Sequence, residues 1–322
     1  MLRVATLHPA GPLASFCDKM IRYVLLTSLL TVLTLAERIQ IDWSKVRPIE
    51  DFDHYWERLP AELQSLRHSS PTNRITNGQE ATPGQFPYQI VLLSEFATGT
   101  SLCGGSILTT NFVLTAAHCV VAEASTLALG GIAIMGAHNR IVEEETQQRI
   151  RFVSGGILRH PLYVSSSLRN DIAVIRLNSP MTFTDRIQPI RLPARSDTRQ
   201  FAGYTGTISG YGRTSDYSWA TAAVLRFTSN PVMTNADCIV RWSAATIQSQ
   251  NVCLRGTGGR SSCNGDSGGP VTVQDGTNGP LLIGVVSFVS AVGCAVGRPS
   301  VHTRVSFYST WIEGISDYVN SP

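Results

Sequence analysis

Asn264-Gly265-Asp266-Ser267-Gly268-Gly269-Pro270-Val271 sets one serine between an acid and two glycines. The stretch has little helical or strand propensity, and its glycines allow a tight turn that exposes the Ser267 hydroxyl. Alone, it describes an ordinary loop equally well. Two other segments change that reading. Leu114-Thr115-Ala116-Ala117-His118-Cys119 ends an apolar run on a histidine, and Asn170-Asp171-Ile172-Ala173-Val174-Ile175-Arg176-Leu177 sets an aspartate at the head of a strand-like run. A serine hydroxyl is a poor nucleophile near neutral pH and needs an adjacent base, a role that imidazole suits.

The three segments run in the order His, Asp, Ser and resemble those of the chymotrypsin-like serine proteases; other folds that carry this triad order it differently. Arg74-Ile75-Thr76-Asn77-Gly78 resembles that family's activation junction, and Pro270 and Ser287-Phe288 also match. The resemblance covers roughly residues 75 to 322, and its pattern is that of the arthropod digestive chymotrypsin-, elastase- and collagenase-like enzymes. It implies an all-β fold of two six-stranded antiparallel β-barrels, with the active site in the cleft between them and a C-terminal helix packed against the second. It makes Ser267 the nucleophile, His118 the general base and Asp171 the group that holds the histidine tautomer. The backbone N–H groups of Gly265 and Ser267 become the oxyanion donors. Cleavage after Arg74 would free the Ile75 ammonium to pair with Asp266. A catalytically inactive homologue acting as a binding protein is the competing reading, against which stand the intact His118, Asp171 and Ser267.

A chain of 322 residues, 43% hydrophobic, is long enough for a substantial core. The formal charge of +3 and the lack of any Lys/Arg cluster point to no nucleic-acid partner. Lysine occurs only at positions 19 and 45, so arginine carries the positive charge from Ile75 onward. Met20-Ile21-Arg22-Tyr23, the apolar run Val24 to Leu35 and Ala36 before Glu37 describe a secretory signal over residues 20–36. That run is short for a membrane span. Residues 1–19 look nothing like a signal and read as an upstream extension. Residues 37–74 form a propeptide mixing acids with Trp43, Phe52, Tyr55 and Trp56, and a short helix fits Phe52 to Leu66. With no cysteine, this segment would leave once cut after Arg74.

Seven cysteines become six once Cys17 is set aside with the leader, an even number suited to bridges in an oxidising compartment. The resemblance pairs Cys103 with Cys119, Cys238 with Cys253, and Cys263 with Cys294. No close Cys-x-x-Cys pair points to zinc. Ala137 stands where calcium-binding relatives place a liganding glutamate, so no metal or other cofactor is expected, and Glu143, Glu144 and Glu145 read as a solvated loop.

Short strands separated by glycine-rich turns dominate from Ile75 onward: 88–93, 105–108, 112–115, 150–153, 172–177, 205–209, 223–227, 271–273, 281–288 and 301–305. The absence of βα alternation argues against an α/β hydrolase. Helices are expected at about Asn235 to Trp242 and Ser306 to Asn320. Matching to the family puts Ser261 at the base of the specificity pocket and Val289 and Ser300 on its walls. Ser287 would support Asp171, and Ser287-Phe288-Val289 would pair with the substrate backbone. An uncharged base disfavours lysine or arginine substrates. The expected product is a secreted, monomeric endopeptidase of the gut lumen, made as a zymogen and cutting after uncharged residues. Its partners would be protein and peptide substrates, a trypsin-like activating protease and protein protease inhibitors. An immune or developmental cascade role is the alternative.

Overall fold

Runs rich in β-branched and apolar residues form fifteen strands in the computed structural model, which describes residues 39–59, 64, 78–122, 126–216 and 218–320. The signal segment and the Arg74/Ile75 junction lie outside the described residues. The chain divides into Met1–Asp42 and Trp43–Pro322, and the fold is that of the second unit. Its strands are β1 (Val46–Pro48), β2 (Gln79–Glu80), β3 (Gln89–Phe96), β4 (Gly99–Ile107), β5 (Phe112–Thr115), β6 (Gly130–Met135), β7 (Gln148–Val153) and β8 (Ile157–Arg159). There follow β9 (Ala173–Arg176), β10 (Thr205–Gly210), β11 (Arg226–Met233), β12 (Asn251–Leu254), β13 (Pro270–Gln274), β14 (Pro280–Phe288) and β15 (Ser300–Arg304). Among the described residues no helix is long and apolar enough to cross a membrane.

The two sheets are not two closed six-stranded barrels. The second sheet does close: β10-β13-β14-β15-β12-β11 returns to β10 through the six-residue ladder Thr205↔Pro231 to Gly210↔Arg226, with β2 appended to β11. The first sheet runs β7-β6-β3-β4-β5-β9-β8, with β1 paired to β4, and stays an open half-barrel. Its end strands are consecutive in the chain, joined by the 3-10 turn Ser154–Gly156, and the three residues of β8 are paired with β9. Single bonds such as Asn178 N–H to Arg151 O (2.9 Å) bridge the seam in place of a ladder.

Five strands escape the sequence reading: β1, β2, β6, β8 and β12. β6 is buried along its whole length, so it lacks the alternation of a half-solvated strand. β12 is only four residues long and buried throughout. β4 matters most for the site. β3 pairs along its full length, but on its other edge β5 covers only Ser106 and Ile107. The free part of that edge, Thr100 to Leu102, is taken by β1, in parallel register.

The C-terminal helix is also shorter than the spacing suggests and packs elsewhere. A 3-10 turn, Val305–Tyr308, leads into Ser309–Ile315, and Ser316 is already extended. Asn111 Nδ2 bonds Asp317 and Leu192 N–H bonds the Tyr318 hydroxyl, drawing the tail away from helical geometry. Val305, Tyr308 and Ile312 belong to the large core that includes Leu92, Leu114 and Ile175 of the first sheet, whereas the second sheet's own core is centred on Ile208, Val252 and Val271. Trp311 is partly buried against the first of these cores. Ile312→Ala should therefore cost about 2–5 kcal/mol, while Phe307→Ala on the exposed side should change stability by less than about 0.5 kcal/mol. Urea denaturation of both variants checks the packing.

Candidate active site

His118 lies in the 3-10 turn Ala117–Cys119 that follows β5, and the Cys103–Cys119 bridge ties this turn to β4. Asp171 immediately precedes Ile172 and β9, which pairs with β5, so the two side chains arrive side by side. Asp171 Oδ1 accepts from the His118 backbone N–H at 2.9 Å, and Oδ2 lies 2.8 Å from His118 Nδ1. The Ser287 hydroxyl donates to the same Oδ2 at 2.5 Å, and Thr303 Oγ1 donates to the Asp171 carbonyl at 2.8 Å. Asp171 is fully buried. Burial works against its charge, but His118 and the Ser287 hydroxyl hold it below the usual carboxylate range.

Ser267 stands in a loop seated on both sheets. Gly104 N–H of β4 donates to the Ser267 carbonyl at 2.7 Å, and Gly268 N–H donates to the Val286 carbonyl of β14 at 2.8 Å. Gly268 has φ +79°, and a Cβ there would lie 2.2 Å from Thr115 Oγ1 and 2.6 Å from the Gly104 carbonyl, so the position admits no side chain. The next acid, Asp266, points away from the cleft into a cradle of Gly210 and Gly212. Gly212 N–H (2.7 Å) and Cys263 N–H (2.9 Å) donate to its carboxylate. A Cβ on Gly212 would come within 2.6 Å of that carboxylate. Burial pushes the Asp266 pKa up to about 6. A small cavity lined by Gly78, Gly212, Ser261 and Asp266 adjoins it.

A third carboxylate, given no site role in the sequence reading, lies against Ser267. Glu50 Oε1 accepts from the Ser267 hydroxyl at 2.5 Å, and Oε2 accepts from Gly265 N–H at 3.0 Å. Glu50 is 8% exposed and Ser267 4%. His118 Nε2, the ring nitrogen that faces away from Asp171, has no hydrogen-bond partner among the described residues. Burial raises the Glu50 pKa, against the Ser267 hydrogen bond and the nearby His118. Glu50 lies 217 residues from Ser267 in the chain, and its only sequence signal is the clustering of aromatic and acidic residues around it.

A cleft of about 810 Å³ opens beside Ser267, lined by Tyr55, Trp242, Ser287, Phe288, Val289 and Arg298 among others. Ser261 and Ser300 are not at its surface. The Ser261 hydroxyl is buried without a partner among the described residues, and the Ser300 hydroxyl bonds His302 Nε2 at 2.8 Å. Trp242 meets Phe288 edge-on at 5.2 Å and donates to the Pro299 carbonyl.

Bridges join Cys103 to Cys119, Cys238 to Cys253 and Cys263 to Cys294. The sulfurs beside His118 and Asp216 are in these bridges and offer no thiolate to a metal. Glu143 and Glu145 are exposed, as expected of a solvated loop, while half-buried Glu144 accepts from the His138 and Asn139 backbone N–H groups at 2.6 and 3.1 Å and ties the loop together. His138 sits 3.2 Å from Glu80, His160 packs against Tyr308 and Trp311, and burial lowers the His302 pKa to about 3.

Residues 75–312 match the family described as Trypsin. The chain is 38% identical over 239 residues to brachyurin of Leptuca pugilator, covering 74% of this chain and 97% of that protein. It is 37% identical over 249 residues to a chymotrypsin of Phaedon cochleariae, covering 77% and 84% respectively. The solved HL collagenase structure superposes with a TM-score of 0.65 at 34% identity, over 74% of this chain and 97% of that one. Fold and site together define a serine endopeptidase. The chain belongs to the trypsin family, among the chymotrypsin-like, secreted members.

Asp266 carries a pH signature. Its pKa in the folded form, about 6, exceeds the ordinary 3.8, so its contribution to stability is full below about pH 4 and is lost as pH rises through about 6. The loss is on the order of 3 kcal/mol. Urea denaturation of the full chain carrying Arg74→Gln between pH 4 and 8 should show this slope, and the added Asp266→Asn change should reduce it, the buried Glu50 carboxyl supplying the remainder.

Proposed function

We propose that this protein is the precursor of a digestive endopeptidase, inactive until cut after Arg74. The carrying observation is geometric. His118 is held by Asp171 at 2.8 Å, and the Ser267 hydroxyl and Gly265 N–H converge on one bound carboxylate. The Glu50 oxygen on Gly265 N–H stands in for the oxygen of a substrate carbonyl, so Gly265 marks where negative charge would develop.

In the active enzyme Ser267 Oγ attacks the carbonyl carbon while its proton passes to His118 Nε2. The carbonyl oxygen, now negative, takes hydrogen bonds from the Gly265 and Ser267 N–H groups. His118 then gives the proton to the leaving amine, the C–N bond breaks, and an acyl-serine ester remains. Water repeats the sequence in reverse, with His118 taking its proton. Asp171 stays ionised throughout and stabilises the imidazolium.

Activation is read from Asp266. Its buried carboxylate meets two backbone donors and an adjoining small cavity. A new Ile75 ammonium entering there would compensate the buried charge and draw Ser261 and the neighbouring loops toward their working arrangement. Neither Ser261 nor Ser262 brings a negative charge to the pocket base, which favours uncharged substrate side chains. Val289 on the cleft wall favours Ala, Val or Leu over Phe or Tyr, each methylene being worth about 1–3 kcal/mol. An enzyme of this preference does not cut after Arg74, so a trypsin-like protease is the activator. The named relatives, brachyurin and chymotrypsin among them, support a gut-lumen setting.

Activated enzyme should be labelled at Ser267 by an organophosphate and should cleave peptides with Ala or Leu before the cut faster than those with Phe or Arg. Asp171→Asn should lower kcat by about 10⁴-fold. Val289→Gly should raise kcat/KM for Phe selectively. A wild type that already prefers Phe tenfold, with no gain in the variant, would exclude the wall assignment.

A further inference from the structure

We propose that leader residues 43–58 are a built-in inhibitor of the active site, closing it in the precursor and, once excised, binding the mature enzyme in trans. The inference rests on the serine-protease reading of the site. The segment reaches the serine, the histidine and an oxyanion donor. Glu50 takes the Ser267 hydroxyl as a hydrogen-bond donor and occupies Gly265 N–H. The Tyr55 ring lies edge-on to His118 with centroids 5.7 Å apart, and β1 fills the open edge of β4. A peptide substrate docking by strand addition would need such an edge.

The contact is built rather than incidental. Ile49 and Phe52 are essentially fully buried, and the Phe52 ring lies between the Arg47 guanidinium at 4.3 Å and Phe96 at 6.2 Å. Asp51 takes two hydrogen bonds from Arg213, at 2.8 and 2.7 Å. Trp56 Nε1 donates to the Glu50 carbonyl at 2.7 Å, closing the turn that presents the carboxylate. Arg58 stacks over Tyr55 and donates to the Tyr163 hydroxyl.

The segment resists the chemistry it blocks. Ser267 meets a side-chain carboxylate, whose carbon is poorly electrophilic and carries no amine to expel. The serine proton is engaged by Glu50 and not by His118 Nε2, so the base has no hydroxyl to activate. None of these contacts involves Arg74, and no cysteine in residues 37–74 tethers the leader. Cutting therefore converts a tethered inhibitor into a free one, and full activity requires dissociation as well as cleavage. The fall from the high effective concentration of a linked segment to the bulk concentration supplies the release.

The test uses enzyme cut at Arg74 and separated from its leader, assayed on a chromogenic peptide with a synthetic peptide of residues 43–58 added. Competitive inhibition is expected, at least tenfold weaker for the Glu50→Gln peptide and absent for a scrambled one. Equal inhibition by the native and Glu50→Gln peptides, or none by the native peptide, would overturn action in trans. In uncut precursor carrying Arg74→Gln, Glu50→Ala should speed organophosphate labelling of Ser267 at least tenfold; an unchanged rate would overturn closure in the precursor. A leader-free enzyme without activity would instead remove the protease reading on which this rests. An active enzyme indifferent to the peptide would remove this inference alone.

Discussion

Asp171 is a carboxylate with no exposed surface, and a charge so placed is tolerated only if donors meet it. His118 provides two of them, and Ser287 a third. His118 and Asp171 are borne by the first sheet and Ser287 by the second, so solvating one carboxylate fixes the two sheets against each other. Thr303 on β15 adds a bond to the Asp171 carbonyl and strengthens the same junction. The Ser267 loop depends on this junction too, since it hangs from Gly104 on one side and Val286 on the other. Each bridge then limits the unfolded chain around these points. The loops they close span 15 to 31 residues, worth about 3 kcal/mol each in the chain-entropy account.

In residues 43–58 different side chains anchor the segment and aim it. Full burial of Ile49 and Phe52 contributes about 1.5–3 kcal/mol each. The Asp51–Arg213 pair, only partly shielded, contributes about 1 kcal/mol or less. Glu50 is different: burial disfavours its charge, and its hydrogen bonds offset only part of that cost. Apolar anchors therefore hold the segment, and the carboxylate directs it at Ser267.

Much of the site could be read directly from the chain. His118, Asp171 and Ser267 each sit in a short motif with a distinctive neighbour, and their order alone separates this fold from others with the same chemistry. The strand-rich pattern likewise excluded an α/β architecture. Where the reading failed, the missing quantity was a relation between distant segments. Closure of a barrel depends on whether end strands find each other, and residues 148–159 show no local sign that β7 and β8 do not pair. The C-terminal helix has an apolar face that would suit either core; only packing assigns Ile312 to the first.

Sequence by itself singled out His118, Asp171 and Ser267 and an even set of six cysteines, because these rest on residue identity and local spacing. Tertiary structure alone brought Glu50 to Ser267 and Gly265. Glu50 has an ordinary acidic neighbourhood in the chain, and nothing within several residues of it predicts a partner 217 positions away. Its role arises because β4 leaves an edge open, β1 fills it, and the following turn then reaches Ser267. Long-range placement of this kind depends on the summed geometry of two sheets, which no local pattern encodes.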